Sequence, residues 1–142
     1  MTSFTSRQKE IQYIALKNVQ LIAENQPTVF SNENLKFFFC KYSDPLFIKA
    51  EKLKILVILA NEENIDQILL QLKEYISEIN VHFVRLCIRT IGKLAIKIEN
   101  AADKCVHALF DSLDKHITHD GPNLILQETI IVMKDIFRKY KN

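Results

Sequence analysis

The chain has 142 residues, with 19 basic and 17 acidic side chains and a formal net charge of +2. This length is sufficient for one domain with a hydrophobic core. The near balance of charge argues against a dedicated nucleic-acid-binding protein, whose basic face normally dominates the total. With only 2 glycines, 3 prolines and no tryptophan, the composition leaves little room for hairpins and predicts an all-α protein. The N-terminus lacks an apolar signal core and no run approaches the ~20 apolar residues that span a bilayer, which predicts a soluble protein.

The first part of the chain predicts one helix followed by a segment of uncertain structure. Residues 1–6 are small and polar, and we interpret them as a tail or an expression remnant. A helix is predicted from about Arg7 to Glu24, and its inward face should carry Ile11, Ile14, Ala15, Val19 and Ile22. After Pro27, the aromatic run within residues 27–43 could be a buried extended segment or the end of a second helix.

Two further helices are predicted by their start signals and apolar stripes. Ser43-Asp44-Pro45 is typical of a helix start, with Asp44 as N-cap and Pro45 at the first helical position. The helix that follows has two apolar stripes and should be buried on two sides: Leu46, Ala50, Leu53, Leu56 and Ala60 on one, Ile48, Ile55 and Leu59 on the other. Asn61 or Asn64 should cap the next helix, which has a single stripe: Ile65, Ile68, Leu69, Leu72, Ile76 and Ile79.

The stretch from Val81 to Glu99, introduced by Asn80, predicts the central helix of a packed stack. Its apolar residues recur at helical spacing: Val81, Val84, Ile88, Ile91, Ala95 and Ile98. Further apolar residues beside this stripe predict that neighbouring helices cover it on more than one side. A glycine inside a helix costs ~1 kcal/mol relative to alanine. Gly92 therefore predicts that another helix approaches closely at its position.

The last third of the chain predicts two more helices. The first runs from Asn100 to about Thr118 and should bury Ala102, Cys105, Leu109 and Leu113. The motif His119-Asp120-Gly121-Pro122 predicts the strongest break in the sequence. The final helix, Asn123 to Tyr140, has a stripe predicted to face inward, consisting of Leu126, Ile130, Met133, Phe137 and Tyr140. A second stripe on it, Ile125, Val132 and Ile136, is predicted to lie bare.

The spacing of these helices indicates a repeat. Alternate helices begin near residues 8, 45, 82 and 123. This period is close to the ~40–47 residues of HEAT and armadillo repeats. We therefore predict an α-α superhelix of about seven helices in antiparallel pairs over residues 7–142. Neither end resembles a polar capping repeat, so we expect a part of a longer solenoid.

The most conspicuous candidate for a functional site is a basic row on the central helix, consisting of Arg85, Arg89, Lys93 and Lys97. It could contact an acidic partner, either a protein groove or lipid headgroups. Alternatively it is a solvated edge whose charges pair with acids of the flanking helices: Glu74, Glu78 or Asp103. The even overall charge favours the solvated edge.

The sequence shows no pattern typical of catalysis or cofactor binding. It contains no glycine-rich phosphate loop, no HExxH and no Ser-His-Asp pattern. His116, His119 and Asp120 could hold a metal, but no further ligand lies nearby in sequence. Three cysteines, Cys40, Cys87 and Cys105, lie in apolar contexts and are interpreted as reduced thiols of a cytosolic protein. We predict no catalytic, cofactor or metal site, and hence a protein that is not an enzyme.

Four stretches together resemble a known family: EIQYIALKNVQLIAENQP, FFFCKYSDPLFIKAEKLKIL, LKEYISEINVHFVRLCIRTIGKLAIKIE and QETIIVMKDIFRKY. They are similar to the trunk of beta-adaptins, the large beta subunits of the heterotetrameric clathrin adaptor complexes. The resemblance runs from about Glu10 to Tyr140 in the same order. The ITHDGPN loop is longer than the family pattern, and Met1 to Arg7 does not fit it.

The resemblance implies a solenoid segment that serves as a scaffold in vesicle-mediated transport. Its partners would be the medium, small and second large chains of the complex, with clathrin bound through regions absent from this sequence. The implied location is the cytosolic face of trans-Golgi, endosomal or plasma membranes and coated vesicles, with peripheral membrane association through the complex and no nucleic acid. The alternative is a HEAT-repeat transport receptor or regulatory scaffold that binds a peptide or protein partner.

Overall fold

The computed structural model describes residues 4–116 and 123–141, with side chains from residue 7 onward. The α-helices in these ranges are α1 (Phe4–Asn25), α2 (Leu46–Leu59), α3 (Ile65–Ile76), α4 (Val81–Lys97), α5 (Ala102–His116) and α6 (Leu124–Tyr140). Short 3-10 helices cover Pro27–Val29, Asn32–Phe38 and Glu99–Ala101. Within the described ranges no residue is in a β-strand, which confirms the all-α prediction. None of the helices described is both long and apolar enough to cross a bilayer.

Two compact units divide the chain, Met1–Leu59 and Ala60–Asn142. In the first unit, α1 packs on α2, and contacts advance together along both helices. Lys9 pairs with Asp44 at 3.5 Å, the Tyr13 and Phe47 rings meet edge-on with centroids 5.9 Å apart, and Lys17 pairs with Glu51 at 3.1 Å. The two helices therefore run parallel.

The uncertain segment between α1 and α2 is neither an extended strand nor an α-helix. It forms 3-10 turns, and within it Leu35 and Phe38 are buried whereas Phe37 and Tyr42 are exposed. Side chains three residues apart eclipse in a 3-10 helix, so a pair at this spacing shares one face. This geometry explains why only part of the aromatic run reaches the core.

Two predictions for the first unit were wrong. Helix α1 begins at Phe4 and not at Arg7. Its inward face carries Leu16 and Ala23, whereas Ile11 and Ile14 of the predicted inward face are exposed. The helix carries apolar residues on two faces. The face that packs on α2 is the one from which Tyr13, Lys17 and Gln20 also contact α2.

Asp44 does not act as the N-cap of α2. Its carboxylate accepts a hydrogen bond from the Lys41 backbone N–H at 2.9 Å and from Lys52 Nζ at 2.6 Å. The predicted burial of α2 on two sides is confirmed, since Leu53 and Leu56 of one stripe and Ile48 and Ile55 of the other are buried.

The second unit is a stack of four helices, in which α5 lies on α3 and α6 lies on α4. Asn100 donates to Glu62 at 2.9 Å, Lys104 to Asp66 at 2.7 Å and Lys115 to Ser77 at 3.1 Å, and in each pair the partners lie 38 residues apart. The constant offset means that α5 lies beside α3 in parallel, one repeat further along the chain. Helix α6 lies beside α4 in the same way.

Short connections join these helices as antiparallel neighbours, α3 with α4 and α5 with α6. Helix pairs that stack with a fixed sequence offset are the defining feature of an α-solenoid. The prediction of a helical superhelix is confirmed.

Asparagine side chains open several of the helices. Asn80 accepts from the Phe83 N–H at 3.2 Å and Asn123 from the Leu126 N–H at 3.0 Å, which confirms both starts. Before α3, Asn61 accepts from the Asn64 N–H at 2.9 Å while Asn64 accepts from the Asn61 N–H at 2.8 Å. This reciprocal pair has the form of a capping box. The predicted start at Asn100 was wrong, because its side chain bonds to Glu62 and a 3-10 turn opens α5.

Helix α4 is central to the second unit, as predicted. Ile88, Ile91 and Ala95 are fully buried. At Gly92, a Cβ atom would lie 2.5 Å from Val132 Cγ1 of α6. The close approach that the glycine predicts is therefore confirmed, and the approaching helix is α6.

The two faces of α6 are reversed relative to the prediction. Ile125, Val132 and Ile136 are buried, while Leu126, Ile130 and Phe137 are exposed. Both stripes are apolar and both have helical spacing, so periodicity alone could not separate them. Val132 decides the matter, since it fits over the missing side chain of Gly92. The predicted break at residues 119–122 lies outside the described residues.

Candidate interaction site

The basic row of α4 faces α6 along its N-terminal half. Arg89 Nε donates to Glu128 Oε1, and Arg85 Nε lies 3.8 Å from the same oxygen. The Glu128 side chain is only 5% exposed. A buried carboxylate needs a cationic partner, and here two arginines provide one. The acid that pairs with these arginines comes from α6 and not from the flanking α3 or α5, so the predicted acidic partners were wrong for this half of the row.

The C-terminal half of the row is exposed. Lys93 lines an open groove of about 260 Å³ between α4 and α6, beside Ile96, Ile131 and Asp135. Lys97 lies further along the helix, and partial burial lowers its pKa. The row therefore divides into two arginines that neutralise Glu128 and two lysines at the surface. Whether it contacts a partner stays a prediction.

Two exposed apolar stripes emerge that were not predicted as surfaces. The α6 outer stripe consists of the exposed residues Leu126, Ile130 and Phe137 together with half-buried Met133, and Phe137 is 60% exposed. The α1 outer stripe consists of Ile11, Ile14, Ala15 and Ile22, and Ile11 is 66% exposed. Large exposed apolar patches on soluble proteins mark interaction sites. The sequence signal for these surfaces was the presence of two apolar stripes on one helix.

The candidate chemical groups are held in structural roles. Burial raises the pKa of the Cys105 thiol to about 12, although Lys73 acts to lower it, so little nucleophilic thiolate exists at neutral pH. His116 Nε2 lies 2.5 Å from the Ile76 carbonyl oxygen and bonds α5 to α3. His119 and Asp120 lie outside the described residues. Across residues 4–116 and 123–141, no three His, Cys, Asp or Glu side chains are grouped to hold a metal ion.

The parallel stacking of α3 with α5 and of α4 with α6 at a fixed sequence offset defines an α-solenoid protein. The chain matches the model of the adaptin N-terminal region along its whole length, residues 1–142, and it belongs to that family. This membership confirms the resemblance in the sequence, but the match also covers Met1 to Arg7, so the expectation that these residues do not fit the family was wrong.

Curated relatives agree with the family. The chain is 46% identical to the AP-1 complex subunit beta of Dictyostelium discoideum and 44% identical to the AP-1 complex subunit beta-1 of Homo sapiens, in each case over all 142 residues. It is 40% identical over 140 residues to the AP-2 complex subunit beta of Schizosaccharomyces pombe. The chain spans 14% of the length of the first two relatives and 20% of the third.

Proposed function

We propose that this chain is a scaffold segment of the beta subunit of a clathrin adaptor complex, taking part in vesicle-mediated intracellular protein transport. The observation that carries the proposal is the 46% and 44% identity, over the whole chain, to proteins named as beta subunits of AP-1 complexes. A scaffold acts through its shape and its contacts with other subunits. Its partners are accordingly the medium, small and second large chains of the complex.

The packing of the second unit supports a scaffold. Ile88, Ile91 and Ala95 of α4 are fully buried, and α6 fits closely over Gly92. Closely packed protein interiors transmit strain rather than deform. A rigid second unit with the exposed α6 outer stripe provides a fixed surface on which other subunits assemble. In this proposal the chain acts without catalysis, at the cytosolic face of trans-Golgi, endosomal or plasma membranes and coated vesicles. Its membrane association is peripheral, through the complex, and clathrin binds to regions outside this chain.

Purification of the tagged product of the endogenous gene tests the proposal. Mass spectrometry of the co-purified proteins should find one medium, one small and one second large adaptor chain in stoichiometric amounts. Recovery of a GTPase, a phosphatase or a peptide cargo without adaptor chains would instead support a HEAT-repeat transport receptor or regulatory scaffold.

The same purification tests the basic row as a subunit contact. Lys93→Glu reverses an exposed charge beside the groove between α4 and α6. If the row contacts a subunit, this variant should recover less of one adaptor chain. Lys139→Glu is the matched control, because Lys139 is an exposed cation on α6 that does not belong to the row. Equal recovery with both variants would remove the row from the contact surface.

A further inference from the structure

A pocket lies between α3 and α5, where the series of polar contacts between these two helices is interrupted. Those contacts join residues 38 apart in sequence, such as Lys104 and Asp66. Lys73 and Asp111 have the same offset and opposite charges, but no ion pair joins them in the part of the chain that the structure describes. Both side chains instead line an open pocket of about 260 Å³. The pocket therefore occupies the place of a missing contact between the helices.

The wall of this pocket includes a buried hydroxyl group that lacks a partner. Ser112 is 1% exposed, and its Oγ has no hydrogen-bond partner among the described residues. The buried hydroxyls of Thr90 and Thr129 each donate to the carbonyl oxygen four residues earlier, at 2.7 Å. Most buried polar groups in proteins are satisfied in such a way, so an unsatisfied one calls for an explanation. A ligand that supplies the missing hydrogen bond is such an explanation.

The charges around the pocket balance. Two lysines and two aspartates line it: Lys73, Lys115, Asp111 and Asp114. A cleft attracts multiply charged ions when its charges have one sign, and this lining does not have one sign. Lys115 is also already bonded to Ser77 Oγ at 3.1 Å, which leaves Lys73 as the cation that faces the aspartates. The lining therefore favours a neutral polar group with both a donor and an acceptor.

The remaining lining and the size of the pocket restrict the ligand further. Ile76 and Ala108 add apolar surface. Pockets that bury a whole small molecule usually measure ~300–1,000 Å³. This pocket is smaller, and it is open to the surface. It therefore fits one apolar side chain together with the polar groups next to it.

We propose that the pocket between α3 and α5 binds one residue of an extended peptide segment of a partner protein. A peptide unit has one acceptor and one donor. Its carbonyl oxygen accepts from the Lys73 ammonium and its N–H donates to the Asp111 carboxylate. The apolar side chain of the bound residue lies against Ile76 and Ala108. The Ser112 hydroxyl turns about χ1 and hydrogen-bonds the adjacent peptide group. This site goes beyond the adaptor function proposed above and does not rest on it.

An NMR titration of the complete chain tests the proposal. The probe is N-acetyl-leucine methylamide, which has one apolar side chain between two peptide groups. Amide signals of α3 and α5 around Lys73 and Ser112 should shift and reach saturation. Inorganic phosphate, added separately, should leave these signals in place. Saturable shifts with phosphate and none with the capped leucine would make this an anion site and overturn the proposal.

Three variants show which groups hold the probe. Ser112→Ala and Lys73→Met should each raise its dissociation constant by about threefold or more, because each removes one hydrogen bond to a peptide group. Lys104→Met is the matched control, since Lys104 pairs with Asp66 at 2.7 Å between the same helices and does not line the pocket. Its dissociation constant should equal that of the wild type. Equal weakening in Lys73→Met and Lys104→Met would overturn the proposal.

The stability of Ser112→Ala separates a role in binding from a role in the fold. Alanine removes a hydroxyl that has no partner in the free chain, so the melting temperature without probe should not fall. Circular dichroism measures this temperature and should show the same helix content in all three variants. A lower melting temperature in Ser112→Ala would mean that the hydroxyl supports the fold, and would contradict its role in the ligand site. Absence of any shift around the pocket at the solubility limit of the capped leucine would overturn the proposal as well.

Discussion

The two units of the chain use different physical means to hold helices in parallel. In Met1–Leu59, the buried polar residues include Asp44, Lys49, Glu51 and Lys52, and ion pairs connect α2 to α1 and to the preceding turn. In Ala60–Asn142, the buried residues that the structure describes include one charged side chain, Glu128, which pairs with Arg85 and Arg89, and α4 and α6 join mainly through apolar packing around Gly92. Charge pairs depend on protonation, whereas close packing depends on volume. The first unit should therefore respond to acid and the second to changes in side-chain size.

The largest effect is expected from Ile91→Asp in the second unit. Ile91 is fully buried in α4, and a carboxylate there would have no cationic partner. The free energy of unfolding should fall by at least ~4 kcal/mol, a large part of the ~5–15 kcal/mol that stabilises a typical domain. Circular dichroism melts measure this.

The control for Ile91→Asp has to be chosen from the structure. Arg89→Glu is unsuitable, although Arg89 belongs to the polar row, because it would place a second acid beside buried Glu128. Lys93→Glu, at an exposed position of the same helix, should leave the melting temperature within a few degrees. Equal loss of helix in Ile91→Asp and Lys93→Glu would mean that the buried face of α4 is misassigned.

The next largest effect is expected in the first unit, from Lys52→Met. This substitution leaves the Asp44 carboxylate buried without the ammonium that donates to it at 2.6 Å. Removal of one partner of a buried pair typically costs 3–5 kcal/mol, so chemical denaturation should show a loss of about that size. Lys54→Met is the matched control, because Lys54 is half exposed in its pair with Glu51 and such pairs contribute less than ~1 kcal/mol. Similar losses for both variants would contradict the ion-pair account of this unit.

Gly92→Ala should destabilise the second unit by a smaller amount. The added methyl would meet Val132 Cγ1 at 2.5 Å, and the branched valine has little freedom to move. Overpacking typically costs 1–3 kcal/mol, while alanine recovers ~1 kcal/mol of helix propensity, so the net loss should be about 1 kcal/mol. In Gly92→Ala with Val132→Ala the loss should be less than the sum of the two single losses. Additive losses would show that the two helices do not touch here.

Acid should weaken the first unit selectively. Burial alone would raise the pKa of Asp44, but hydrogen bonds from Lys52 and from the Lys41 N–H outweigh it and hold that pKa below 3.8. For Glu51, bonds from Gln20, Lys17 and Lys54 likewise overcome burial and hold the pKa below 4.5. A lowered folded-state pKa contributes stability that is present above the ordinary value and is lost as pH falls through the folded value.

Hydrogen-exchange protection factors of α1 and α2 amides, which correct for the intrinsic slowing of exchange in acid, should therefore fall below about pH 4 before those of α4. Asp44→Asn with Glu51→Gln should remove the pH dependence of protection in α2. Protection factors that fall in both units at the same pH would contradict the selective effect.

The smallest effect is expected for the basic row. Because Glu128 offsets one of the two arginine charges and the net charge of the chain is only +2, the chain should bind anionic vesicles of phosphatidylserine and phosphatidylcholine weakly, with binding that disappears as salt rises. Vesicle sedimentation measures this. Strong, salt-sensitive binding that is abolished by charge reversal at Lys93 and Lys97 would establish the row as a membrane contact.

The sequence by itself determined the helices of the second unit and the family. The starts at Asn80 and Asn123 follow from side chains that satisfy their own helix, and such local interactions leave a local signal. The middle of the α4 stripe is determined by its own sequence, since apolar residues cover most of the helix there and Val84, Ile88, Ile91 and Ala95 are all buried, although Val81 at its start is exposed. Gly92 likewise predicted that another helix approaches closely, but it did not predict which helix.

The tertiary structure alone decided which face of a two-striped helix is covered. Helices α1 and α6 each carry two apolar stripes, and the choice between them depends on partners such as Val132 for Gly92, 40 residues distant in sequence. The sequence also could not predict that Glu128 pairs with the two arginines or that Asp44 forms an ion pair with Lys52. A charge's partner is set by packing between helices, whereas periodicity describes only one helix at a time.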